Sequence, residues 1–122
     1  MPRVVHFEIV GDDPEALAKF YSDVFDWKVE KWDGPMEYWL IQTGEEGEPG
    51  IDGGLGKRTQ PGESTTNTID VEDLDAFIAK IENMGGKVVS PRHPVPGVGW
   101  MSYCSDPDGN LFGMMQSDEE AK

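Results

Sequence analysis

The chain has 122 residues, enough to bury one hydrophobic core and too few for two independent ones. With 24 Asp and Glu against 10 Lys and Arg, its net charge of −14 repels phosphate backbones and anionic lipid head groups, which sets nucleic acid and membrane surfaces aside as partners. A 37% hydrophobic content with four Trp, five Phe and three Tyr excludes a disordered chain, and a lone cysteine, Cys104, excludes an internal disulfide.

That cysteine usage fits a reducing compartment. The opening stretch MPRVVHFEIVGDD is too short and too mixed for a signal peptide or a membrane span, so the expected location is cytoplasmic. Residues 4–10, VVHFEIV, alternate: Val5, Phe7 and Ile9 share one face and His6 and Glu8 the other, the pattern of a half-buried strand. GDDPEALAKFYSDVF follows with acids and Pro14 in its first turn and Leu17, Phe20, Tyr21 and Val24 at helical spacing. DWKVEKW and EYWLIQT read as two strands separated by Gly34 and Pro35, GEEGEPG as a polar loop, and IDGGLGKR as a strand whose glycines mark a close backbone approach.

After the linker TQPGESTT the order repeats. TTNTIDV predicts a strand, EDLDAFIAKIENMG a helix stopping at Gly85 and Gly86, and KVVS, WMSYCSD and NLFGMMQ three more strands. A shift of 60 residues aligns Ile9 with Ile69, Asp13 with Asp73, Ala16 with Ala76 and Gly53 with Gly113. The chain is therefore an internal duplication: one domain over residues 1–122, with module one at about 3–58, a linker at about 59–64 and module two at about 65–117.

Two motifs invite specific chemistry and fail. DPDGNLFG alternates Asp106 and Asp108, but its glycine falls at the fourth position, where a calcium loop needs it at the sixth. The stretch reads as a turn into the last strand. GGLGKR lacks the first glycine and the hydroxyl residue of a phosphate loop, because Ile51 and Arg58 occupy those places. Cys104 has no assignable base and reads as a small buried thiol. His93, in the proline-rich PRHPVPGVGW, reads as an exposed loop residue, with a lid over a ligand as the alternative.

Two βαβββ modules with HFEI in the first strand, FYSDVFDW ending the first helix, VEDLDA opening the second and DPDGNLFG before the last strand resemble the vicinal oxygen chelate superfamily. Glyoxalase I, bleomycin-resistance proteins and extradiol dioxygenases belong to it, and GIDGGL with PVPGVGW is similar to its small glyoxalase-related members. The resemblance covers nearly the whole chain. It implies an α+β fold in which each module curls its sheet into half a barrel, the two halves enclosing a cavity, and it implies a homodimer. Metal-dependent members carry ligands at four positions, which fall here on His6, Gly53, Thr66 and Gly113. Only His6 among these binds a divalent metal well, since glycine offers no side chain and a threonine hydroxyl is a poor ligand.

No cofactor is therefore expected, with a divalent metal at His6 and Glu8 as the alternative. His6, Glu8, Thr66, Thr68, Trp39 and Trp100 are the candidate cavity residues, and His6 with Glu8 the candidate catalytic pair: the imidazole is the base and the carboxylate its orienting partner. The expected function is binding of a small organic molecule, with the reaction unassigned. Two alternatives stand beside it: a metal-dependent lyase or isomerase of the glyoxalase I type, and a non-catalytic antibiotic- or metabolite-sequestering protein of the bleomycin-resistance type.

Overall fold

The computed structural model describes residues 2–122. Eight strands and two helices follow one another as β1 (Arg3–Gly11), α1 (Pro14–Phe25), β2 (Lys28–Lys31), β3 (Tyr38–Gln42), β4 (Asp52–Lys57), β5 (Thr66–Asp70), α2 (Leu74–Asn83), β6 (Lys87–Val95), β7 (Gly99–Ser105) and β8 (Leu111–Ser117). This is the α+β, twice-repeated βαβββ order expected from the sequence. Contacts cluster into two compact units, one of residues His6–Thr66 and one of Asn67–Lys122 with the start of the chain up to Val5.

In the first unit the strand order is β2-β3-β4-β1, with β1 parallel to β4 and the other pairs antiparallel. The alternation in β1 sends Phe7 and Ile9 to the helix side, where they pack with Leu17 and Trp27 around buried Trp39, Ile41 and Leu55. Full burial of a side chain such as Leu55 contributes roughly 1.5–3 kcal/mol. Helix α1 starts where Asp13 caps it, its Oδ1 accepting from Ala16 N at 3.2 Å, with Pro14 in the first turn. It stops at Asp26, whose left-handed backbone (φ 59°) lets its N–H donate to the Ser22 carbonyl.

In the second unit the order is β5-β8-β7-β6, with β5 parallel to β8. Asp73 caps α2 as Asp13 caps α1, accepting from Ala76 N at 3.1 Å. The helix covers a core of Val71, Leu74, Cys104 and Met114. Burial pushes the Cys104 thiol up, so it stays protonated among apolar neighbours, the inert small residue expected.

Strand β6 runs on through PRHPV, past the four residues of KVVS, so His93 lies in a strand rather than a loop. The reason is its place at the end of the sheet order: an edge strand tolerates Pro91 and Pro94, and register shifts either side of Ser90 absorb them. The turn before β8 is built by Asp106, whose Oδ1 accepts from the backbone N–H of Asp108 and Asn110 and whose Oδ2 accepts from the Asn110 side chain. Those hydrogen bonds, that of the Asn110 side chain first, hold the Asp106 carboxyl below its usual range. Residues 118–122 close the unit, with Ala121 buried and its carbonyl accepting from Gly97 N. Among the described residues no helix is long and apolar enough to cross a membrane.

Candidate functional site

The face of the first sheet that α1 does not cover carries the second half of the β1 alternation. His6 lies opposite Asp52 on β4 and Glu8 opposite Gly54. Tyr38, at the start of β3, reaches across β4 to both: its hydroxyl lies 2.9 Å from His6 Nε2 and 3.3 Å from Glu8 Oε2. Glycine at 54 is what makes this reach possible. A Cβ there would stand 1.6 Å from the Tyr38 oxygen and 2.0 Å from the ring carbon that bears it, so any side chain would evict the phenol.

One tautomer satisfies both contacts. The phenol O–H donates to Glu8, His6 Nε2–H donates to the phenol oxygen, and Nδ1 is left as the ring's acceptor. Burial holds the His6 imidazole below its ordinary value, with the charges of Glu8 and Asp52 opposing in part. Burial, then the Glu8 charge and hydrogen bond, keep the Tyr38 phenol protonated far above its usual range. The imidazole is thus held neutral and the phenol protonated, a base and a donor beside the Glu8 side chain.

The expected pair His6 and Glu8 is therefore brought together, but through Tyr38, which the sequence places only in the strand EYWLIQT. The signal for it was GIDGGLG, whose glycines do mark a close approach, that of a side chain as well as of backbone. Trp39 does not join the site. It is 7% exposed and packs in the helix-side core opposite Leu55, because β3 alternates and its open-face positions are Tyr38 and Leu40. Trp100 is likewise on the α2 side of its sheet: it packs against the buried core, its Nε1–H donates to Asp118, and the Arg92 guanidinium lies 4.5 Å over its ring.

Thr66 opens β5, and Thr68 lies two residues on, opposite Gly113. Thr68 is 3% exposed, and its hydroxyl has no hydrogen-bond partner. The assignment of Gly53 to the open face is corrected by one residue. A Cβ on Gly53 would meet the Phe7 ring in the core, so the counterpart of Gly113 is Gly54, and the shift of 60 that holds through β1 and α1 becomes 59 by β4. The family's metal would find His6, a glycine, a threonine and a glycine at its four positions. Among the described residues no three His, Cys, Asp or Glu side chains converge. This donor set does not fit a divalent transition-metal centre.

Two surface hollows of about 490 and 400 Å3 lie in the loops 58–63 and 42–52; His6, Glu8 and Tyr38 line neither, and the second reaches only Asp52, opposite His6. In the first, Glu63 is consumed by its own turn, accepting from the N–H groups of Thr59 and Gln60. The convergent ionisable groups, not the hollows, mark the candidate site.

Residues 3–114 match the family described as the Glyoxalase/Bleomycin resistance protein/Dioxygenase superfamily. The protein named "Putative glyoxylase CFP32" of Mycobacterium bovis is 28% identical over 87% of this chain, and its namesake in Mycobacterium tuberculosis matches equally. The chain spans 42% of the length of these relatives. A methylmalonyl-CoA epimerase of Streptomyces coelicolor, solved as a variant with 2-nitronate-propionyl-CoA, superposes with a TM-score of 0.71 at 19% identity, covering 100% of this chain and 99% of that one. A hypothetical protein of Bacillus halodurans gives 0.71 at 17% identity, covering 98% and 97%. Likeness at this identity carries the fold alone.

Proposed function

The chain belongs to the Glyoxalase/Bleomycin resistance protein/Dioxygenase superfamily, and from that premise we propose that it binds a small organic molecule at His6, Tyr38 and Glu8, without a divalent metal. The observation that carries this reading is the phenol held between imidazole and carboxylate on the helix-free face, over a glycine that no packing in the core requires. A polar chain placed there spends its remaining donors and acceptors on whatever occupies that face. The protein acts as a homodimer in this reading, by analogy with the family.

A proton-transfer role is the second reading, favoured by the His6 imidazole that burial keeps neutral beside a carboxylate. Such a ring takes a proton from carbon or oxygen near neutral pH, and Glu8 stabilises the imidazolium that results. The metal-dependent lyase needs a donor set this face lacks. Sequestration without turnover differs from proton transfer in one respect only, that the ligand is recovered unchanged and exchanges no hydrogen with solvent deuterium.

The test is calorimetry and mass-spectrometric recovery with a panel of small metabolites on the full chain. Saturable binding that Tyr38→Phe weakens about tenfold, the scale of one lost hydrogen bond to a charged group, supports the site. Binding that Tyr38→Phe and His6→Ala both leave unchanged removes it.

A further inference from the structure

The site just proposed also carries information about charge, and the inference drawn here rests on that reading while naming the class of its ligand. The helix-free face of the first sheet holds Glu8 and, opposite His6, Asp52. On the neighbouring strands the register puts Glu30 opposite Leu40 and Lys28 opposite Gln42 on the same face. Three carboxylates thus stand against one ammonium, and His6 does not offset them because burial keeps it neutral. Three further cations of this unit are engaged elsewhere: Arg58 with Asp12, Lys19 with Asp23, and Lys31 over the ring of Trp39 on the core side of β3.

Beside the carboxylates lies an aromatic wall. The Trp32 backbone N–H donates to the Tyr38 carbonyl at 2.8 Å, which puts the two side chains on one face, and their rings meet edge to face with centroids 6.1 Å apart. Trp32 is seated by the hairpin tip, where its ring covers Gly34 so closely that a Cβ there would stand 2.2 Å from it. Leu40, 46% exposed, extends the apolar ground next to Tyr38. An aromatic face on the same side of the sheet as carboxylates offers a cation two favourable partners, the charge and the π face.

We propose that the ligand is an organic cation, a protonated amine or quaternary ammonium on a small apolar frame, with its nitrogen facing Glu8 and its frame lying on Trp32 and Leu40. An anion meets the opposite: three nearby carboxylates within a chain of net charge −14. This sets the chain apart from its structural neighbour crystallised with a coenzyme A derivative, whose phosphates would face that field.

The experiment is a two-dimensional NMR titration of the isotope-labelled full chain with benzyltrimethylammonium, benzyl alcohol, benzoate and propionyl-CoA, followed at Trp32, Tyr38 and His6. Benzyltrimethylammonium is expected to shift these signals, at least about tenfold more tightly than benzoate or propionyl-CoA, and to weaken as salt is raised. Glu8→Gln should weaken it about fivefold, one partly screened charge pair, and weaken benzyl alcohol by less. Should Glu8→Gln disturb the fold, the salt titration of the unaltered chain and the exposed Glu30→Gln read the same charge effect. Equal or tighter binding of benzoate or propionyl-CoA overturns the cationic class but leaves the site standing if Tyr38→Phe still weakens that binding. Silence of all three residues toward every probe overturns both.

Discussion

Where the first half of the chain sets Glu8 opposite Gly54, the second sets Thr68 opposite Gly113, at the same place in the same parallel pair of strands. Above Gly54 lies the Tyr38 phenol, bound to an imidazole and a carboxylate. Around Gly113 lie the Met101 methyl group, the Tyr103 ring edge and the Thr68 hydroxyl. The duplicated frame is preserved down to its helix caps, while the glycine of one copy carries the imidazole–phenol–carboxylate chain and the glycine of the other faces Tyr103, on which His93 stacks with ring centroids 6.4 Å apart. A repeated fold fixes where side chains point, not what they are, so the two faces were free to diverge.

The comparison can be tested first on what the halves share. Leu55 and Leu74 are both fully buried, one in each core, and replacing either with Ala should cost about 2–5 kcal/mol by urea unfolding. A loss well under 1 kcal/mol at one of them would mean that the cores are not equivalent. A smaller effect separates the glycines. Gly54→Ala drives a stiff ring from its place and should cost about 1–3 kcal/mol while breaking the Tyr38 contact with His6. Gly113→Ala meets Met101 Cε at 2.9 Å, the end of a flexible thioether, and should cost less than about 1 kcal/mol. Equal costs would deny that Gly54 is kept for Tyr38.

The third difference is in pH. Because burial lowers the His6 pKa, the folded chain binds fewer protons than the unfolded one between that lowered value and the ordinary 6.5. The contribution is complete above 6.5 and is lost as pH falls through that window. His6→Gln should flatten the stability profile there and leave untouched the losses at lower pH from carboxyls such as Asp106 and Glu63, whose pKa values are also lowered. A profile unchanged by His6→Gln would put the imidazole in water. The smallest effect is a gain: Thr68→Val removes a buried hydroxyl without a partner and should stabilise by about 0.5–1 kcal/mol in thermal unfolding. A loss of that size would mean that an ordered water or another donor satisfies it.

Much of this frame could be read before any coordinates. Alternation in VVHFEIV and the acid-started helices gave strand, helix and their facing sides, since periodicity and capping are local properties. The phase of β5 was also legible, Thr68 facing away from the helix and Ile69 toward it. What was not legible was lateral. The reach of Tyr38 over Gly54, the commitment of Trp39 to the core and the drift of the repeat from 60 to 59 all depend on which residue of one strand stands beside which residue of another. In EYWLIQT the adjacent Tyr38 and Trp39 are equally suited to a strand, and only the pairing of Trp39 with Leu55 decides between them. His93 escaped for a similar reason: prolines argue against a strand until the strand is known to be an edge.

The parallel pairing of β1 with β4 has a consequence in time. His6 and Glu8 lie on β1, yet the strand that receives them ends at Lys57, with a helix and a hairpin between. Closing that long loop is an entropic step that local helix and hairpin formation precede, so β1 docks late in folding of its half. The groups that define the site thus precede the strand that assembles them, and a chain interrupted between Tyr38 and Asp52 would hold every one of the residues His6, Glu8 and Tyr38 without holding the site.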